Sequence, residues 1–212
     1  TVQDRTPGLA KYRNLWRKLK AVVGEFDVLF VCFPGQTAMV LARLMTRKPI
    51  VFDAFTSLYD SDVYDRAVVR PWGWGALWRF LLDFLSMHLA DFVIVDTEAQ
   101  KRYYLRAFRL RPDRIGVVPV GSVEAVMQPT PLPERPRGDP TVVHFHGGFI
   151  PLQGVAVILA AAHLLQDTPI VFNIIGRGQQ YAEMRRHAAE WQLTNVRFID
   201  PVPYEELAAW MA

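Results

Sequence analysis

Val142-Val-His-Phe-His-Gly-Gly-Phe-Ile-Pro-Leu-Gln-Gly154 opens with an apolar run, 142–145, that has the length and composition of a buried strand. Gly147 and Gly148 follow at once, and residues 155–165 then repeat apolar side chains at helical spacing. A strand, a glycine turn and a helix start together aim bare backbone N–H groups at one spot, where the helix dipole favours an anion such as phosphate. Gly176-Arg177-Gly178 repeats the arrangement after the next apolar run, 170–175. Neither turn completes a nucleotide signature. No Gly-Lys-Ser/Thr closes the first as a P-loop, and Tyr181 stands where a dinucleotide fingerprint needs glycine. Each alone reads equally as a plain tight turn; their place at the ends of successive strands is what joins them.

The alternation continues in both directions. Downstream it reads strand 141–146, helix 153–166, strand 170–175, helix 179–192, strand 196–199 and helix 204–211. Upstream it reads helix 9–23, strand 27–33, helix 36–45, strand 49–52, helix 74–89, strand 92–95, a helix to about Phe108, and strand 115–120. Thr97-Glu-Ala-Gln100 is a capping box that starts the helix ending near Phe108. Between the halves, residues 127–140 hold Pro129, Pro131, Pro133, Pro136 and Pro140. Proline removes a donor and fixes φ, so neither helix nor central strand is expected there. The expected organisation is therefore two Rossmann-like domains, 1–126 and 141–212, joined by a Pro-rich linker. Strands alternating with helices imply α/β domains with parallel sheets, whose ligands sit beyond the carboxyl ends of the strands. Two such domains would face each other across a cleft.

Composition narrows the partners. Hydrophobic residues make up 51% of the 212 and charged residues 21%, in keeping with a real core. A net charge of +3 is too mild to argue for nucleic acid, and it does not repel phosphorylated ligands or anionic lipid. The single cysteine, Cys32, excludes an internal disulfide and reads as a buried thiol in a reducing compartment. No signal peptide is visible, and the most apolar stretch, 76–95, is interrupted by Arg79, Asp83, His88 and Asp91. The expected setting is cytoplasmic, at the inner face of a membrane if the acceptor is lipid-linked. The abrupt ends suggest a fragment cut at both termini.

The run "VVHFHGGFIPLQGVAVILAAAHLL…IVFNIIGRGQQ…VRFIDPVPYEELAAWMA" resembles the start of the nucleotide-sugar domain of retaining GT-B glycosyltransferases, the group-1 or GT4-like family. "IGVVPVGSVEAVMQP" is similar to that family's interdomain strand. "FDVLFV…KPIVFDAF…ADFVIVDTEAQKRYYL" is similar to the later strands of its amino-terminal domain. The resemblance implies transfer of a sugar from a nucleoside-diphosphate donor to a hydroxyl, with retention and without a metal or other cofactor. It places the donor against Gly147, Gly148, Phe149, Gln153, Gly154, Gly176, Arg177 and Gly178, with the 200–202 turn (Pro201 and Val202) at the base. Family members commonly carry Arg after the first glycine and Lys before the second; this chain has Gly148 and Gln153 there. Arg177 is the cation left to compensate the diphosphate. The family's E-x7-E pair would lie beyond Ala212, so the isolated chain is expected to be inactive. Two alternatives stay open: a non-catalytic nucleotide-sugar-binding module, and a nucleotide-sugar epimerase.

Four further features carry weaker readings. The polar segment 52–66 reads as a long loop on the ligand side, with Asp53, Tyr59 and Asp60 as acceptor-side candidates. His144 and His146 share one strand face and read as packed or hydrogen-bonded core histidines rather than a metal site. Trp72, Trp74 and Trp78 cluster at one helix start, as a membrane-interface belt or as domain core. The basic amphipathic helix 9–23 reads as a solvated surface helix, with an anionic membrane surface as the alternative partner.

Overall fold

The computed structural model describes residues 3, 4, 6, 8, 10–128, 136 and 138–211. The chain divides into two compact units, 1–120 and 121–212. Most of the Pro-rich linker read at 127–140, including Pro129, Pro131 and Pro133, lies outside the described residues.

The first unit holds α1 (Ala10–Val22), β1 (Leu29–Val31), α2 (Gln36–Met45), β2 (Ile50–Asp53), a short α3 (Leu58–Asp60), α4 (Trp74–Leu89), β3 (Phe92–Val95), α5 (Glu98–Ala107) and β4 (Ile115–Val117). The strands form one parallel sheet in the order β1-β2-β3-β4. Sequential parallel strands joined by right-handed crossovers carry their helices on one face. Accordingly Met39 and Ala42 of α2, Met87 of α4, and Tyr104 of α5 with Phe108 pack on Ile50, Phe52, Val93, Val95 and Ile115. The opposite sheet face shows Phe30 and Phe92 to solvent.

The second unit holds β5 (Thr141–His146), α6 (Val155–Leu164), β6 (Ile170–Ile175), α7 (Tyr181–Glu190), β7 (Val196–Ile199) and α8 (Tyr204–Met211). Its parallel sheet runs β5-β6-β7, with His146 in register with Ile175 and Ile175 with Ile199. The core lies between this sheet and the α6–α7 pair, around Phe149, Leu159, Phe172, Ile174 and Met184.

Several expectations change. The segment 52–66 is not a long loop: α3 runs directly into a π-helical turn, Ser61–Asp65. The helix expected at 153–166 begins only at Val155, after a 3₁₀ turn at Pro151–Gln153 and a left-handed Gly154 with φ 65°. The strand expected at 115–120 stops at Val117. Cys32 is exposed rather than buried, because β1 ends at Val31 and the residue falls in the turn beyond it. Trp72, Trp74 and Trp78 are not core residues; their relative exposures are 95%, 88% and 63%.

Candidate functional site

Three strand ends form one rim in the second unit. Gly147, Gly176 and Asp200 each follow the last residue of β5, β6 or β7, so the two glycine turns stand side by side at the carboxyl edge of the sheet. The turns are also bonded to each other. The Gly147 amide donates to the Ile175 carbonyl at 3.1 Å, the Phe149 amide to Arg177 O at 3.1 Å, and the Gln180 amide to Phe149 O at 2.8 Å. Their contact is close enough to demand glycine. A Cβ on Gly176 would lie 2.0 Å from Gly147 O, and one on Gly178 would lie 2.6 Å from Phe149 N. Those two glycines are therefore explained by the packing of turn on turn.

Gly148 is different: a Cβ there meets nothing within 4 Å. Among the described residues, the amides of Gly148, Arg177 and Gly178 donate to no protein acceptor. No side chain caps the start of α6, and its first turn holds no acidic residue. This rim thus offers unspent N–H groups beside a helix N-terminus, a combination suited to an anion.

The side chains expected here divide. Phe149 is fully buried, its ring 5.0 Å from that of Tyr181 and 6.3 Å from that of Phe198. It belongs to the core, and both its backbone groups are spent on the second turn. Gln153 leans over the first turn, its Oε1 3.4 Å from where a Gly147 Cβ would stand. Arg177 is half exposed, stacks its guanidinium 4.0 Å above the Tyr181 ring, and pairs with Asp200. Its charge is therefore held at the rim but already faces one carboxylate. Pro201 is exposed and Val202 half-buried, next to that pair.

His144 and His146 do not enter the core as expected. They occupy the sheet face away from α6 and α7; His146 is exposed, and His144 Nε2 lies 3.1 Å from His146 Nδ1. His144 Nδ1 is buried without a partner, and burial pushes the imidazole below its ordinary pKa. Among the described residues no third metal-ligating side chain joins the pair.

In the first unit, a buried carboxylate that the sequence reading passed over organises the acceptor-side candidates. Asp83, on the inner side of α4, accepts from the amides of Leu58 at 3.0 Å and Tyr59 at 2.9 Å, and from Gln36 Nε2 at 3.3 Å. Those amides are the orphan donors at the start of α3, and Ser57 Oγ caps a third, from Asp60, at 2.9 Å. Burial raises the Asp83 pKa, while the same hydrogen bonds pull against the rise. Asp60 accepts from the Tyr103 hydroxyl at 2.9 Å and is likewise raised, chiefly by burial. Tyr59 sets its ring edge-on to Tyr64 and Phe80, both at 5.8 Å. Asp53 closes β2, half-buried.

Comparisons with known proteins bear on the family and the fold. The family model for Glycosyltransferase Family 4 matches residues 2–122, more than half the chain. A curated D-inositol 3-phosphate glycosyltransferase of Nocardioides sp. is 31% identical over 226 residues, covering 90% of this chain and 46% of that protein. Anabaena HepE, solved with UDP and glucose, superposes with a TM-score of 0.69 at 14% identity, over 91% of this chain and 53% of that one. S. aureus TarM, solved as a mutant with UDP and alpha-GlcNAc-glycerol among its ligands, gives a TM-score of 0.62 at 13% identity, over 91% of this chain and 37% of that one. At those identities the structures speak for the fold, which is that of the GT-B glycosyltransferases. This chain spans about half the length of the curated relative. With the family model covering most of the first unit and the parallel-sheet fold shared across nearly the whole chain, the protein belongs to glycosyltransferase family 4.

Proposed function

We propose that the protein transfers a sugar from a nucleoside-diphosphate donor to a hydroxyl acceptor, with retention at the anomeric carbon, and that the rim of the second unit holds the donor's diphosphate. The observation that carries this reading is the pair of bonded glycine turns at one sheet edge, where the amides of Gly148, Arg177 and Gly178 donate to no acceptor among the described residues and no side chain caps the start of α6. In such a transfer the bond to the leaving phosphate breaks early, and negative charge grows on the diphosphate. Donors fixed in advance at that charge lower the barrier. The Arg177 guanidinium would add a cation by exchanging its Asp200 partner for the phosphate, and Pro201 and Val202 would flank the base. In this reading no metal is required. Asp53, Tyr59 and Asp60 are the acceptor-side candidates. The structures of HepE and TarM, which hold UDP, support a nucleotide donor for this chain by likeness of fold.

Titration calorimetry with UDP, GDP and ADP tests the donor site. Arg177→Ala should weaken the best of them by about tenfold, the worth of one charge-assisted hydrogen bond. Unchanged affinity would remove Arg177 from the site. One observation favours the non-catalytic module instead: Arg177 already has a carboxylate partner in Asp200. Sugar transfer or donor hydrolysis by the full-length protein separates the two readings, and binding without either supports the module.

A further inference from the structure

The loops that leave the carboxyl ends of β5, β6 and β7, residues 147–154, 176–180 and 200–203, hold one cation and one anion, Arg177 and Asp200. Register sets the two close together. Ile175 pairs with Ile199, and the Gly176 amide donates to the Ile199 carbonyl at 3.1 Å, so the residues beyond each strand end are neighbours. Both side chains stand exposed at the rim and pair with each other. Arg177 has a second hold, the Tyr181 ring 4.0 Å from its guanidinium carbon. Asp200 has no second hold: among the described residues no other donor reaches its carboxylate. An exposed ion pair adds little to stability, so folding of this unit gives slight reason for the aspartate.

The inference rests on reading this rim as a diphosphate site. On that reading a lone carboxylate is out of place. Once Arg177 turns to the phosphates, Asp200 is left beside a like charge, which opposes binding unless the ligand brings donors of its own. Asp200 adjoins Pro201 and Val202, the residues read as flanking the base. Guanine alone among the common bases presents two adjacent donors, N1–H and N2–H, spaced for the two oxygens of one carboxylate. Uracil sets its N3–H between two carbonyl oxygens, which a carboxylate repels. Adenine and cytosine put a ring acceptor beside the amino group. HepE and TarM hold UDP, but at 14% and 13% identity they speak for the fold and not for the base this chain takes.

We propose that Asp200 determines base specificity and selects a guanosine diphosphate donor, accepting from guanine N1–H and N2–H while Arg177 moves to the diphosphate. The test is titration calorimetry of the full chain with GDP, IDP and UDP. IDP keeps N1–H and lacks the 2-amino group. GDP should bind about tenfold more tightly than UDP, with IDP between them. Asp200→Asn, at unchanged circular dichroism, should weaken GDP by about tenfold and leave UDP no weaker. The amide puts an N–H where an acceptor stood, and it removes a negative charge from beside the phosphates. A role confined to holding Arg177, or a contact with the ribose, would move GDP and UDP together. Equal affinity for GDP and UDP overturns the proposal and leaves the diphosphate site standing. An Asp200→Asn variant in which both nucleotides shift alike does the same. Binding of none of the three removes the diphosphate site, and this proposal with it.

Discussion

At Gly176 a methyl group has nowhere to go: its Cβ would stand 2.0 Å from the Gly147 carbonyl oxygen, on backbone with φ 140°. Gly176→Ala should therefore cost about 2–4 kcal/mol of stability, measured by urea denaturation. Gly148, one residue beyond the Gly147 that forbids it, has open space around its Cβ position and no left-handed backbone. Gly148→Arg should fold normally and put a second cation on the rim. If the rim faces a diphosphate, that variant should bind a nucleoside diphosphate about tenfold more tightly in titration calorimetry; a loss of affinity would mean that the Gly148 amide points elsewhere.

Among the elements, α3 depends on a residue from another helix. A three-residue helical segment has too few internal bonds to hold itself, and Asp83 holds this one by accepting from its first two amides. Because burial raises the Asp83 pKa, at pH between its unfolded and folded values the folded state keeps a proton that the unfolded state has released. The folded state then binds more protons, so stability falls as pH rises through the range above the ordinary carboxylate value of about 4. Asp83→Asn should flatten that slope, which urea melts across a pH series would read. The polar run around 52–66 looked like a loop because its organising acceptor, Asp83, lies 24 and 25 residues from the amides it holds. By contrast, the cap of α5 is local and was legible at once: Thr97 Oγ1 accepts from the Gln100 amide at 3.1 Å, and Gln100 Oε1 from the Asp96 amide at 3.1 Å.

For the whole molecule, the two units have separate cores, one centred on Phe52, Val93 and Tyr104 and the other on Phe149, Leu159 and Ile174. Unfolding should then depart from a single two-state step. Phe52→Ala and Phe149→Ala should each cost about 3–5 kcal/mol. In scanning calorimetry each should lower a different transition; one shared transition shifted by both would show that the units melt as one.

The amino-acid sequence alone determined what depends on neighbours along the chain. Apolar runs of strand length, helical spacing and glycine turns specify two parallel α/β units, and strands at 141–146, 170–175 and 196–199 and a helix at 74–89 stand where that periodicity puts them. Side-chain direction needed the tertiary structure. Hydrophobicity says that Phe149 and Trp74 both favour burial, yet only packing against Tyr181 and Phe198 draws Phe149 inward, while among the described residues no element of this unit covers Trp74 on the outer face of α4. Likewise, glycine in a turn suits both a ligand and a second backbone. That Gly176 and Gly178 serve the second backbone follows from atoms about 30 residues away in sequence, brought within contact by the pairing of β5 with β6.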